Sequence, residues 1–324
     1  MTRTTVRSED ITAGQVKSAD LASDAVDTAE LANDAVTVAK MNDSAYLANR
    51  NYIINGDFDV WQRGTSFTIS SAGPGEYTAD RWKLEGNNFS GSLTRQSFAT
   101  NQTDVPNCPA YYARWINSTT MGAGEKVQFL QPIELKPNGF KLANQEVTFS
   151  CWLKSVSGTI PDGNITLIKE SAVYPSVGAI GTTWTKFTHT WTVWNSNQGY
   201  MWIGFECPAT YSLTNGLDIA HCQLEIGDTA TPFERKTYGQ ELADCQRYYS
   251  KSYNPDVAPA TSGAVGACSS LAIYSSGSQS LGARWVTSMR TAPTVVIYPT
   301  GSTNTGYVTQ TSNNAEVAAT ASEI

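Results

Sequence analysis

The spacing of apolar positions divides the chain into three zones. In the first fifty residues it keeps a ten-residue phase. Ile11, Leu21, Leu31 and Met41 align, as do Val16, Val26, Val36 and Tyr46, and Ala19, Ala29 and Ala39. The larger apolar side chains therefore come every five positions. Five helical residues rotate about 500°, which leaves successive members about 140° apart, so one straight helix cannot hold them on one face. The spacing is not the roughly 3.5-residue average of a heptad coiled coil. It is odd, so a continuous strand would send alternate members to opposite faces. What fits is a repeated unit: a short helical turn ("ADL", "AEL"), then a bend at Ser23-Asp24 or Asn33-Asp34. One unit has too little apolar surface to form a core, so neighbouring units or chains must supply the other side. Ile11, Val16, Leu21, Val26, Leu31, Val36 and Met41 are the residues expected to meet them. A merely solvated low-complexity arm has no physical reason to keep this phase.

At Asn51 the period changes to two. In "EVTFSCWLKSV", Val147, Phe149, Cys151 and Leu153 alternate with Thr148, Ser150, Trp152 and Lys154. In "KFTHTWTV", Phe187, His189, Trp191 and Val193 alternate with Lys186, Thr188, Thr190 and Thr192. "GYMWIGFEC" and "LDIAHCQLEI" read as two further strands, and "NGD", "PNGF", "PDGN" and "TNG" as turns. Short strands with Gly/Asn turns and few helices predict a β-sandwich. After residue 236 comes a short helix, "YGQELADCQRYY", with Leu242, Cys245 and Tyr249 on its expected inner face. "SLAIYS", "ARWVTSM" and "TVVIYPT" follow as expected strands. The predicted organisation is thus mainly β: a repeat segment at 1–50, a β-sandwich at 51–236, and a short helix with a small β domain at 237–324.

Composition narrows the function. The net charge is −7 and there is no basic run, which argues against a nucleic-acid partner. No apolar stretch has the length of a membrane span, and none at the amino terminus has that of a signal peptide, so no membrane insertion is expected. The six cysteines are widely spaced with no CxxC, and without a secretion signal they are expected to be reduced, buried thiols.

Catalytic signatures are sparse. His189 and His221 are the only histidines, and neither has zinc-site spacing. His189 falls on an apolar strand face and is expected to be a satisfied core residue. No GxSxG occurs, and "GAGEK" lacks phosphate-loop spacing. Asp57, Asp59, Glu76, Asp80 and Glu85 could supply a hydrolytic pair. However, Asp57 belongs to an Asn-Gly turn, and Asp80 is expected to pair with Arg81. No enzyme activity, cofactor or metal is expected. The nine tryptophans say more. Glycan sites place an aromatic plane beside polar groups. Trp152 and Trp194 are out of phase with their apolar neighbours, and with Lys154 and Lys186 they are the candidate glycan-contacting residues. Trp61, Trp82 and Trp184 read as core or strand-end anchors.

Three segments together carry a resemblance: "NYIINGDFDVWQRGTSF" (51–67), "ADRW" (79–82) and "IAHCQLEIGDTATPFERKTYGQELADCQRYY" (219–249). They resemble tail-fibre or minor structural proteins of tailed bacteriophages, and "MRTAPTVVIYPTG" and the decad repeat are similar to later and shaft segments of such proteins. The resemblance implies a carbohydrate-binding-module-like jelly roll on a homotrimeric fibre. It implies a virion protein assembled in the host cytoplasm, joined to other tail or particle proteins through residues 1–50 and meeting host surface polysaccharide through its β domains. A purely structural fibre or head-decoration protein is the first alternative, and a polysaccharide depolymerase the second. Related modules often hold a structural calcium with the NGDF turn and an acidic pair in the last strand. Here Ala220-His221 stands in place of that pair, so no metal is assigned.

Overall fold

In the computed structural model the chain divides into two compact units, Met1–Leu47 and Ala48–Ile324. The described residues are 49–261, apart from 71–72, 87–89, 119–124, 136–141, 171, 195–198 and 209–210, together with 286–298, 307–310 and 315–318. The decad repeat, from Ile11 to Met41, lies outside them, as does "SLAIYS".

The described chain is mainly β, with two six-stranded antiparallel sheets and one helix. The first sheet is ordered β1 (Ser66–Ser70), β4 (Ser90–Ser97), β5 (Tyr111–Asn117), β12 (Leu217–Ile226), β7 (Glu146–Ser155) and β10 (Thr185–Thr192). The second is ordered β2 (Gly73–Tyr77), β3 (Lys83–Gly86), β6 (Lys126–Glu134), β11 (Tyr200–Pro208), β8 (Thr166–Glu170) and β9 (Ala172–Ser176). From β5 onward the chain repeatedly crosses between sheets, the connectivity of a jelly-roll sandwich. A separate hairpin pairs β13 (Tyr307–Gln310) with β14 (Ala315–Ala318). Residues 294–298 join no ladder among the described residues, which corrects the strand expected for "TVVIY".

The alternation in β7 holds: Val147, Phe149, Cys151 and Leu153 are buried in the core. They meet Trp61, Trp82, Trp115, Phe129 and Phe205, which are also fully buried. Trp82 stacks on Phe129 at 4.9 Å, and its Nε1 donates to Asn55 O at 3.0 Å, so the ring buries no unpaired donor. Thus Trp61 and Trp82 are core residues as expected, while Trp184 is half-buried and outside the core.

The three segments that carry the resemblance fold onto one another. Asn51 Oδ1 accepts from Ile53 N and Leu224 N, and its Nδ2 donates to Cys222 O. Asn55, at φ 58°, donates from Nδ2 to Val60 O and Asp80 O and accepts from Val60 N at Oδ1. Gly56 O accepts from Cys222 N at 2.9 Å. Helix α1 (Tyr238–Gln246) begins with a Thr-x-x-Gln cap, in which Thr237 Oγ1 accepts from Gln240 N. The tyrosines after it close the knot, as Arg63 stacks over Tyr249 and Arg81 over Tyr248, each at 3.5 Å. These motifs therefore serve the fold.

Several local expectations change. The buried helix residues are Glu241 and Cys245, one turn apart, while Leu242 is half-exposed. Asp80 does not pair with Arg81; it accepts from Gln62 N at 2.9 Å and lies 3.8 Å from Arg63. Arg81 instead donates to Pro132 O. His189 is not a satisfied core residue. It is half-buried near the sandwich edge, stacked on Trp191 at 5.7 Å, and its Nε2 has no hydrogen-bond partner. Burial and the nearby Lys169 charge lower its pKa. The five described cysteines are free and four are buried, but Cys108 is exposed.

Candidate functional site

A sheet has two faces, and in the first sheet the outward one carries the chemistry. Strand register assembles it in rows. Thr94 lies opposite Arg114, Arg114 opposite Asp218, and Asp218 opposite Lys154. In the next outward row Gln96 lies opposite Tyr112, and Trp152 lies between Ala220 and Lys186. The inward row between them holds Ala113, Ile219 and Leu153, all buried. The alternation that builds the core thus also aims these side chains outward.

Half of this outward face is sealed. The chain from Gly227 to Glu234 crosses it as a strap. Thr148 Oγ1 donates to Gly227 O at 2.7 Å, and Thr231 N donates to Glu225 Oε1 at 2.9 Å. Gln223 Oε1 accepts from Glu234 N at 2.7 Å. Lys186 Nζ donates to Thr231 O at 3.3 Å. Thr148, Ser150, Gln223 and Glu225 point away from the core yet are buried. A strap that satisfies their polar atoms makes this possible.

The other half is lined by the partly exposed Lys154, Arg114, Trp184 and Phe98 around a buried Tyr112. Asp218 is fully buried and holds two cations. Arg114 grips it with Nε to Oδ1 at 2.7 Å and Nη2 to Oδ2 at 3.0 Å, a two-pronged pair. Lys154 Nζ lies 3.3 Å from Oδ2. The hydrogen bond to Asp218 raises the Arg114 pKa, and burial first, then Asp218, raises that of Tyr112. Above this triad stands an aromatic cluster: Phe98, Tyr112 and Trp184, with centroids 4.7 to 5.3 Å apart. Lys154 Nζ lies 5.0 Å from the Trp184 ring centre and 5.7 Å from that of Tyr112. Such a surface offers flat apolar rings beside hydrogen-bond donors, which suits the C–H faces and oxygens of a sugar.

Of the sequence candidates, Trp152, Lys154 and Lys186 share this outward face. Trp194 does not join them. It is half exposed beyond the end of β10, and its backbone N donates to Glu170 Oε1 at 3.0 Å. Eight residues of strand separate it from Lys186, roughly 26 Å at the usual rise. Tyr112, Arg114, Asp218 and Phe98 complete the face without having been singled out, and they are joined by Trp184, which reads from the sequence as a core or strand-end anchor. A signal existed: in "YYARWIN" and "LDIA", Tyr112, Arg114 and Asp218 are out of phase with Ala113, Trp115, Leu217 and Ile219.

Of the carboxylates considered for hydrolysis, Asp57, Asp80 and Glu85 face other side chains, whereas the buried Asp59 Oδ1 has no hydrogen-bond partner. Glu85 pairs with Lys83. Asp57 Oδ1 lies 3.0 Å from His221 Nε2, out of line for a hydrogen bond, and its Oδ2 lies 3.5 Å from Arg235 Nε. His221 is buried and stacks on Phe233 at 4.1 Å. A calcium at the NGDF turn needs oxygen ligands, but an imidazole and a guanidinium face Asp57 here, so these residues do not fit the ion.

No protein-family model matches the chain, and no curated protein does. Among solved structures, the chain is similar to the enzymatically active domain of tailspike protein 4 of bacteriophage CBA120. The identity is 14%, the TM-score 0.31, and the match covers 49% of this chain and 22% of that one. It is also similar to TmCBM61, solved in complex with β-1,4-galactotriose, at 14% identity and TM-score 0.32, covering 55% of this chain and 100% of that one. A cyclase from Fischerella sp. TAU matches at 13% identity and TM-score 0.32, covering 53% and 100%. The described chain is a mainly β protein with two packed antiparallel sheets.

Proposed function

We propose that this protein is a non-enzymatic tail-fibre component of a bacteriophage virion that binds a glycan of the host surface on the outward face of its first sheet. The carrying observation is the half-open platform of Trp184, Lys154 and Arg114, backed by the buried Tyr112 and Asp218, beside a strap that seals the rest of the face. The three motif segments and the decad repeat support the virion assignment. Residues 1–50 join the fibre and associate three copies, with Ile11 to Met41 supplying the shared apolar rows.

Two measurements test this. On a glycan array the full chain should bind reproducibly, and Trp184→Ala or Trp152→Ala should weaken binding at least tenfold while the melting temperature moves by only a few degrees. Absence of binding, with host adsorption intact, would leave a purely structural fibre. Release of reducing ends from host polysaccharide would make it a depolymerase. For assembly, light scattering should give a trimer mass for the full chain and a lower mass after deletion of residues 1–50. A monomeric full chain would sink the repeat argument.

A further inference from the structure

We infer that the platform selects acidic polysaccharides, taking the carboxylate of an acidic sugar on Lys154 with the sugar ring beside the partly exposed Trp184. This rests on the reading of the face as a glycan platform. Donor and charge balance on the face point to this selectivity. Asp218 is the one carboxylate in the row, and it is fully buried with both oxygens engaged by Arg114 and Lys154. It therefore offers a ligand nothing. The groups that reach solvent are the two cations, with side chains 24% and 23% exposed. Arginine and lysine carry only donors. Arg114 spends Nε and Nη2 on Asp218 and Tyr112 Oη, and among the described residues its Nη1 has no acceptor. Lys154 Nζ lies 3.3 Å from Asp218 Oδ2 as an ion pair. The row holds two positive charges against one buried negative charge, which leaves a local surplus of +1 facing outward.

A neutral sugar presents hydroxyls that both donate and accept, and is best met by a balanced set of groups. A sugar carboxylate only accepts. It matches a cationic donor beside a ring that holds a pyranose face. The position of Lys154 is suited to this, because its ammonium lies beside the Trp184 ring and next to a buried anion whose two oxygens are chiefly held by Arg114. Gln96 Nε2 donates to Thr94 Oγ1 at 2.9 Å. The whole chain carries −7, so it does not attract polyanions in general. Selective retention of one would have to come from a local surface such as this.

The test uses the full chain and paired probes: polygalacturonate, alginate, hyaluronan and polysialic acid, each beside its carboxyl-reduced, neutral counterpart. Affinity electrophoresis or calorimetry should show at least one acidic polymer bound at least tenfold more tightly than its reduced form. Lys154→Met, which keeps the apolar stem over the rings, should remove that preference, and Lys154→Arg should retain it. Unfolding curves of the variants check that the fold survives. Binding of the reduced polymers as tightly as the acidic ones overturns the inference and leaves the glycan reading standing. An acidic preference that persists in Lys154→Met also overturns it. Failure of every polymer, neutral and acidic, overturns both.

Discussion

Gly56→Ala should destabilise the protein by about 3 kcal/mol or more, the scale of a forced overpacking combined with a lost hydrogen bond. A Cβ at Gly56 would lie 2.0 Å from Cys222 O and 3.1 Å from Cys222 C. Both are backbone atoms in the middle of β12, so no side chain can swing away. Relief requires the 51–58 turn to part from the strand. That would break the bond from Cys222 N to Gly56 O and disturb the Asn51 bonds to Cys222 and Leu224. The control is Gly181→Ala, where an added Cβ meets nothing within 4 Å. Urea unfolding should move the midpoint strongly for the first variant and by less than about 0.5 kcal/mol equivalent for the second. Equal midpoints would show that the turn is not seated on β12.

The second large effect is a pH dependence centred on Glu241. Burial pushes its carboxyl up to about 7, against Lys236 and the Asn55 N–H, which favour the charged form; Asp244 and Asp57 add to the rise. In the unfolded chain it titrates near its ordinary 4.5. The folded state therefore binds the extra proton between these values, and stability falls as pH rises through that window. From pH 5 to 8 this group alone removes about 2 to 3 kcal/mol, at 1.36 kcal/mol per pKa unit. Asp59, raised to about 6 by burial and then by Asp57, acts in the same direction at lower pH. Glu241→Gln keeps an acceptor oxygen for Asn55 N but cannot ionise. It should flatten the fall between pH 5 and 8 and be more stable than the parent at pH 8. Parallel stability profiles for the two proteins would refute the assignment.

The candidate face was half visible in the sequence. Within one strand, phase alone separates inward from outward, so Trp152 and Lys154 could be placed opposite Phe149 and Cys151. The same rule applied to β5 and β12 would have exposed Tyr112, Arg114 and Asp218. Phase cannot say that these three strands are neighbours, because β12 reaches its place between β5 and β7 only after the chain has crossed between sheets. Nor can it tell a solvated outward residue from one under a strap: Thr148 and Ser150 have the same phase as Lys154, yet they are buried. Trp194 shows the opposite error, since it keeps the phase of Lys186 but lies past the end of the strand. His189 shows that an inward phase near a sandwich edge does not ensure burial.

The local order of the sandwich strands was largely settled by the sequence itself. The two-residue alternation specified the buried side of β7, and the apolar spacing of "YGQELADCQRYY" marked the helix. The ten-residue phase of the first fifty positions excludes a straight helix, a heptad coil and a continuous strand on geometry alone. Tertiary structure decided which strands lie side by side and which half of the outward face the 227–234 chain covers. It also decided that Asp218 is spent internally while Lys154 and Trp184 are offered outward. The reason is that periodicity is a property of one segment, whereas register, coverage and charge pairing depend on atoms more than a hundred residues apart.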